Sequence, residues 1–141
     1  MFGLGGRRGA RERALELLYE CDLKEQAVSD LLVELPVAPQ PYATTLASGV
    51  ETHQVRIDGL LAKHAIDWSL ERMPVVDRAV LRMATFELGW CPDVPTSVVI
   101  SEAVELAKEY STDESAGFVN GLLATIAHEL RPDEDKLPVR P

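Results

Sequence analysis

A chain of 141 residues with 46% hydrophobic and 26% charged side chains can bury one sizeable core and is too apolar for a disordered segment. Its formal net charge of −9 argues against indiscriminate nucleic-acid binding, because most of the surface would repel a polyanion. Two cysteines seventy positions apart without a CxxC spacing speak against a disulfide framework or zinc knuckle. No apolar run approaches a membrane span and the opening residues lack the apolar core of a signal peptide, so a cytoplasmic setting is expected.

The first stretch runs against this acidic background. Arg7, Arg8, Arg11 and Arg13 are four of the fourteen basic residues, and beyond Arg13 ten basic residues face twenty-two acidic ones. Glycines at 3, 5, 6 and 9 predict a flexible basic arm over residues 1–9. Ala10, Ala14, Leu17, Leu18 and Cys21 share one face of a helix predicted from Ala10 to Lys24. Arginines at the entry of a helix oppose its macrodipole unless an anion lies against them. Helix N-termini and guanidinium forks both suit phosphate, so a nucleic-acid backbone is one reading and a solvated charged face the other.

Further along, Ser29-Asp30 predicts the cap of a short helix, Leu31 to Leu35, and Pro36, Pro39 and Pro41 break the chain. Leu46, Val50, His53, Ile57, Leu60, Leu61 and His64 recur every three or four positions and predict one long helix from Tyr42 to Ile66. Asp67 to Met73 reads as a hinge with one helical turn. Pro74 and Pro95 are placed to open the next two helices, with apolar stripes through Val76, Val80, Met83 and Ala84 and through Val99, Ala103, Leu106, Ala107 and Tyr110. A last helix follows the Ser111–Ser115 cap, striped by Val119, Leu122, Leu123, Ile126 and Leu130. Residues 131–141, rich in proline and charge, predict a flexible tail. Period-two alternation is absent, so the expected class is all-α: about seven helices in two packed sub-bundles, residues 10–66 and 74–130, forming a single domain over 10–130.

The pattern shows no catalytic grouping, metal set or cofactor loop. His53 and His64 lie eleven positions apart, about 16 Å along a straight helix, too far to share a metal. They read as structural histidines. Glu102, Glu105 and Glu109 form an acidic stripe, either a solvated face or a dock for a basic partner. Phe118 sits at the edge of the last helix's apolar stripe, beside Gly117 and Gly121. Close helix packing and a smooth patch for a stacked RNA base both account for those glycines.

Three stretches resemble the NusB family of bacterial transcription antitermination factors: Arg7-Arg8-Gly9-Ala10-Arg11-Glu12 with Ala14 and Leu18-Tyr19; Val76-Asp77-Arg78-Ala79-Val80-Leu81-Arg82-Met83-Ala84 with Glu87-Leu88; and Asp93-Val94-Pro95, Ile100 to Lys108 and Phe118-Val119-Asn120-Gly121-Leu122-Leu123. The resemblance implies the family's helical fold and a non-enzymatic factor that recognises boxA RNA in ribosomal RNA leader transcripts. Its implied partners are the ribosomal protein NusE, the RNA polymerase antitermination complex and, in some members, a second copy that covers the arginine surface. Arg7, Arg8 and Arg11 would then contact RNA, with Glu114, Phe118, Asn120 and Gly121 on the same face, while Asp77 and Arg82 would belong to the partner contact. Gly9 stands where many members carry another arginine, and Ser101 replaces a common asparagine.

Two further classes compete. An adapter without RNA contact would turn its arginines to an acidic protein. NusB-like domains also precede RNA cytosine methyltransferases, although this chain ends before a cofactor-binding sheet.

Overall fold

A computed structural model describes residues 6–66 and 68–136. They form seven α-helices: α1 (Arg7–Lys24), α2 (Val28–Glu34), α3 (Pro41–Thr52), α4 (Gln54–His64), α5 (Val75–Trp90), α6 (Thr96–Tyr110) and α7 (Asp113–Leu130). Short 3-10 turns span Leu70–Arg72 and Pro132–Lys136, and no strand occurs among the described residues. The chain is all-α, as its periodicity predicts.

Helix α5 is the centre of the fold. It packs against α1, α3 and α4 on one side and α6 and α7 on the other, so the two helical groups share it as a common wall. Its buried positions run without a break from Met83 to Leu88, which no single apolar stripe describes. A helix enclosed on all sides needs apolar residues all round. That enclosure also corrects one expectation: Asp77 is fully buried, with neither carboxylate oxygen hydrogen-bonded, and cannot meet a partner directly.

Helix boundaries depart from expectation at the start of α1, at the start of α2 and in the middle of the long helix. Helix α1 starts at Arg7, with Gly6 as N-cap, so Arg7 to Gly9 are its first turn rather than part of a flexible arm; residues 1–5 lie outside the described residues. Helix α2 starts at Val28, one residue before Ser29-Asp30, because the Glu51 carboxylate of α3 accepts from the Val28 N–H at 2.6 Å. The long helix is interrupted at His53 (φ −109°, ψ 18°), one turn after the Ser48-Gly49 pair. The Phe86 ring packs directly on Gly49, and His53 stacks on Trp90 with centroids 4.2 Å apart. No proline marks this break. His64 hydrogen-bonds Glu129 at 2.8 Å.

At the start of α7 the prediction and the structure coincide: Thr112 is the N-cap, its hydroxyl accepting from the Ser115 N–H at 2.9 Å. The chain beyond α7 begins with an anchor. Arg131 donates to the carbonyls of Leu88, Val94, Glu87 and Cys91 and to the Thr96 hydroxyl, tying the end of α7 to the turn between α5 and α6. The predicted tail therefore starts with the most extensively bonded arginine of this region. Residues 137–141 and Asp67, in the predicted hinge, lie outside the described residues.

Candidate functional site

The first turn of α1 contains no acidic residue, and Gly6 provides no side-chain cap. Its first-turn N–H groups and its arginines therefore concentrate positive potential at one end of an acidic protein. Each arginine nevertheless holds a carboxylate from elsewhere in the chain. Arg7 meets Asp93 at 3.2 Å, and its guanidinium lies 4.5 Å from the centre of the Tyr42 ring. Arg8 forms a two-pronged pair with Glu102, Nε to Oε1 at 3.1 Å and Nη2 to Oε2 at 2.7 Å. Arg11 makes the same fork with Glu87, at 2.9 and 2.8 Å, and its Nη1 lies 3.8 Å from Glu102.

Burial separates these pairs. Arg7 and Arg8 are 49% and 67% exposed, while Arg11 and Glu87 are 4% and 2% exposed. The Tyr42 hydroxyl donates to Glu87 Oε2 at 2.6 Å and completes the inner network. Burial, reinforced by the bond to Glu87, pushes the Tyr42 phenol well up and keeps it a donor. The expectation that Arg11 meets RNA directly does not match this position, because its guanidinium is buried and one edge of it is held by Glu87. The sequence did not signal Glu87 or Tyr42 as its partners; they come from α5 and α3 and meet Arg11 only on folding.

Of the acidic stripe of α6, Glu102 is the partner of these arginines, and Glu105 pairs with Lys108. Arg8, Arg11, Glu12, Glu102, Glu105 and Glu109 line one cleft between α1 and α6. On the other flank of α6, Glu105 joins Ser101, Lys108, Gly117 and Asn120 in a shallow groove against α7. The arginine strip and the α7 strip are thus neighbours across α6. Glu114, Asn120 and Gly121 are exposed. A methyl group added at Gly117 or Gly121 would meet nothing within 4 Å, so these glycines are not there for close helix packing. Phe118 packs edge-on against Trp68, centroids 5.1 Å apart, leaving its ring half-buried.

Arg82 is half-buried and bound to Asp58 through two bonds of 2.8 and 3.0 Å. With Asp77 enclosed, neither expected partner residue offers a free group. A different surface does. Leu15, Tyr19, Leu23, Val76 and Tyr110 line an apolar groove of about 460 Å³ along the outer side of α1, bordered by Glu12, Glu16 and Glu20. Tyr19, Leu23 and Tyr110 are 40%, 59% and 47% exposed. The Tyr110 hydroxyl donates to Glu12 at 3.1 Å; burial, then this bond, push its phenol up to about 12. Contiguous exposed apolar side chains of this kind mark contact surfaces.

No group of three or more metal-binding side chains occurs among the described residues, nor does any described helix have the length and apolarity to cross a membrane. Burial pushes the thiols of Cys21 and Cys91 up, away from the reactive thiolate form.

Comparison with known proteins converges on one family. The NusB family profile matches residues 8–128. The transcription antitermination protein NusB of Kineococcus radiotolerans is 50% identical over 128 residues, covering 88% of this chain and 94% of that protein. Its counterpart from Thermobifida fusca is 47% identical over 126 residues, covering 86% and 89%. Among solved structures, T. maritima NusB superposes with a TM-score of 0.83 at 34% identity, covering 94% of this chain and 98% of that one. A chain from a complex of the antitermination factors NusB and NusE with double-stranded RNA reaches 0.76 at 29% identity, covering 87% and 96%. From profile, sequence and fold together, this chain belongs to the NusB family of transcription antitermination proteins.

Proposed function

We propose that this protein is a cytoplasmic antitermination factor that binds boxA-type single-stranded RNA of ribosomal RNA leader transcripts together with NusE, within the RNA polymerase antitermination complex. The observation that carries the reading is the pair of exposed guanidinium groups, Arg7 and Arg8, in the first turn of α1. Arginine forks there match phosphate in both charge and geometry. Arg11 serves as the buried support that holds this turn against α5 and α6. Glu114, Asn120 and Gly121 extend the RNA face across α6, and Phe118 shapes its margin through Trp68. That a related NusB was solved with NusE and RNA supports the assignment.

The acid-bordered groove on α1 is assigned to the protein partner, while Arg82 ties α5 to α4 through Asp58. An apolar floor with carboxylates at the rim suits a basic ribosomal protein.

Fluorescence anisotropy with a short boxA-like RNA, with and without NusE and at several salt concentrations, tests the reading. The expected result is selective binding over a scrambled RNA, tightened by NusE. Two phosphate contacts give a slope of about −1.4 in log K against log salt. Arg7→Ala and Arg8→Ala each flatten that slope, and Tyr19→Asp removes the NusE effect alone. If neither RNA binds with NusE present, the adapter account replaces this one.

A further inference from the structure

The pairing of Arg8 with Glu102 has the geometry of an arginine–phosphate contact. Nε and Nη2, which form one two-pronged edge of the guanidinium, both end on one carboxylate, at 3.1 and 2.7 Å. A phosphate arriving at Arg8 seeks those same two donors. The two sides of the pair are unequal. Glu102 is only 16% exposed and sits within 3.8 Å of Arg11 Nη1, whereas Arg8 is 67% exposed. The carboxylate is therefore the fixed element, and the long, solvated arginine is the one free to swing. Exposed pairs of this kind are weak enough to be exchanged.

We propose that Glu102 is an internal phosphate mimic: it occupies the Arg8 fork in the free protein and competes with the RNA backbone for it, so that residue 102 sets the affinity of the arginine face. The inference rests on the RNA reading above. Its neighbours act in the same direction, since Glu12, Glu105 and Glu109 line the cleft and repel a second anion. The hydrogen bond from Arg8 holds the Glu102 carboxyl below the usual range, which keeps the competitor charged at neutral pH. Asp93 plays the lesser version of this part toward Arg7, through one contact between two well-exposed groups. RNA thus gains the Nε/Nη2 edge of Arg8 only by displacing the Glu102 carboxylate, which disfavours weak, unselective phosphate contacts there.

The test compares the full chain with Glu102→Gln, Glu102→Asp and Glu105→Gln in two titrations. One follows a short single-stranded RNA by anisotropy; the other follows the arginine Nε–H signals by NMR as inorganic phosphate is added. Glu102→Gln should bind RNA roughly two- to fivefold tighter at low salt, the worth of one exposed ion pair, and the gain should shrink as salt rises. Its Arg8 signal should respond at lower phosphate. Glu102→Asp, with shortened reach, should fall between it and the parent. Glu105→Gln removes the same charge from the same cleft but leaves the Arg8 pair intact, and its gain should be less than half as large. Equal gains from residues 102 and 105, or no gain at 102 in either titration, overturn the proposal. A parent that binds no RNA while Glu102→Gln gains phosphate affinity sinks the RNA reading and leaves the mimic standing. Good RNA binding by the parent with no change at 102 does the reverse.

Discussion

Arg8 and Arg11 stand one turn apart on α1 and make the same chemical contact, a two-pronged bond to a glutamate from a distant helix. Their surroundings make them different objects. The Arg11–Glu87 pair has almost no contact with water, whereas Arg8 is largely solvated. In the interior, desolvation makes each charge depend on its partner, and the loss of one strands the other. At the surface, water replaces whichever partner leaves. One arginine-rich stretch therefore contains both a structural pin and an exchangeable ligand hook, and only burial tells them apart.

The sharpest way to break this comparison is Glu87→Ala. It leaves a buried guanidinium unpaired and removes the acceptor of Tyr42, and about 3–5 kcal/mol of stability should be lost in urea denaturation. A loss no larger than that of a surface variant would mean that Arg11 finds water and that the distinction fails. The double substitution Arg11→Met with Glu87→Leu, which empties the site of charge, should recover most of the deficit.

The glycines extend the contrast to packing. Gly49→Ala pushes a methyl group into the Phe86 ring and should cost about 1–3 kcal/mol, seen as a lower melting temperature. Gly117→Ala places the same methyl in open solvent within a helix and should stabilise by roughly 0.5–1 kcal/mol. A Gly117 variant that melts higher yet loses RNA affinity would assign this glycine to the ligand face.

The smallest stability effect is expected from Arg8→Ala. Its melting temperature at pH 7 should lie only slightly below that of the parent, while the salt slope of RNA binding falls by roughly one phosphate contact. The pair also has a definite pH sense. The folded-state pKa of Glu102 lies below the ordinary carboxylate value, so whatever stability it contributes is present above about pH 4.3 and is lost as pH falls through the folded value. The parent and Glu102→Gln should therefore converge in stability at acid pH and separate only above it.

Much of this architecture is legible in the chain. Helical periodicity from Leu46 to His64 and from Val99 to Tyr110, and the Thr112–Ser115 cap, depend on residues close together, and the class follows from them. The site is legible to a lesser degree. Arg7 and Arg8 stand out as charge against an acidic background; Arg8 lies on the helix face opposite Leu17, and Arg7, on the side of Leu18, is exposed as the first residue of α1. Arg11 carries the same local signal, and nothing nearby in sequence distinguishes it.

By itself, the sequence determined an all-helical chain, a cationic helix start and the motifs that identify its family, because these are properties of neighbouring residues and their spacing. Only the tertiary structure decided the rest. It assigned carboxylates seventy-six to ninety-four positions away to the arginines, let Glu51 cap α2, broke the long helix at His53 and anchored α7 through Arg131. It also buried Asp77 and opened the groove along α1. Each of these depends on which side chains the packing around α5 brings together. Whether a charge is desolvated there is set by every helix that covers it, and no local pattern carries that information.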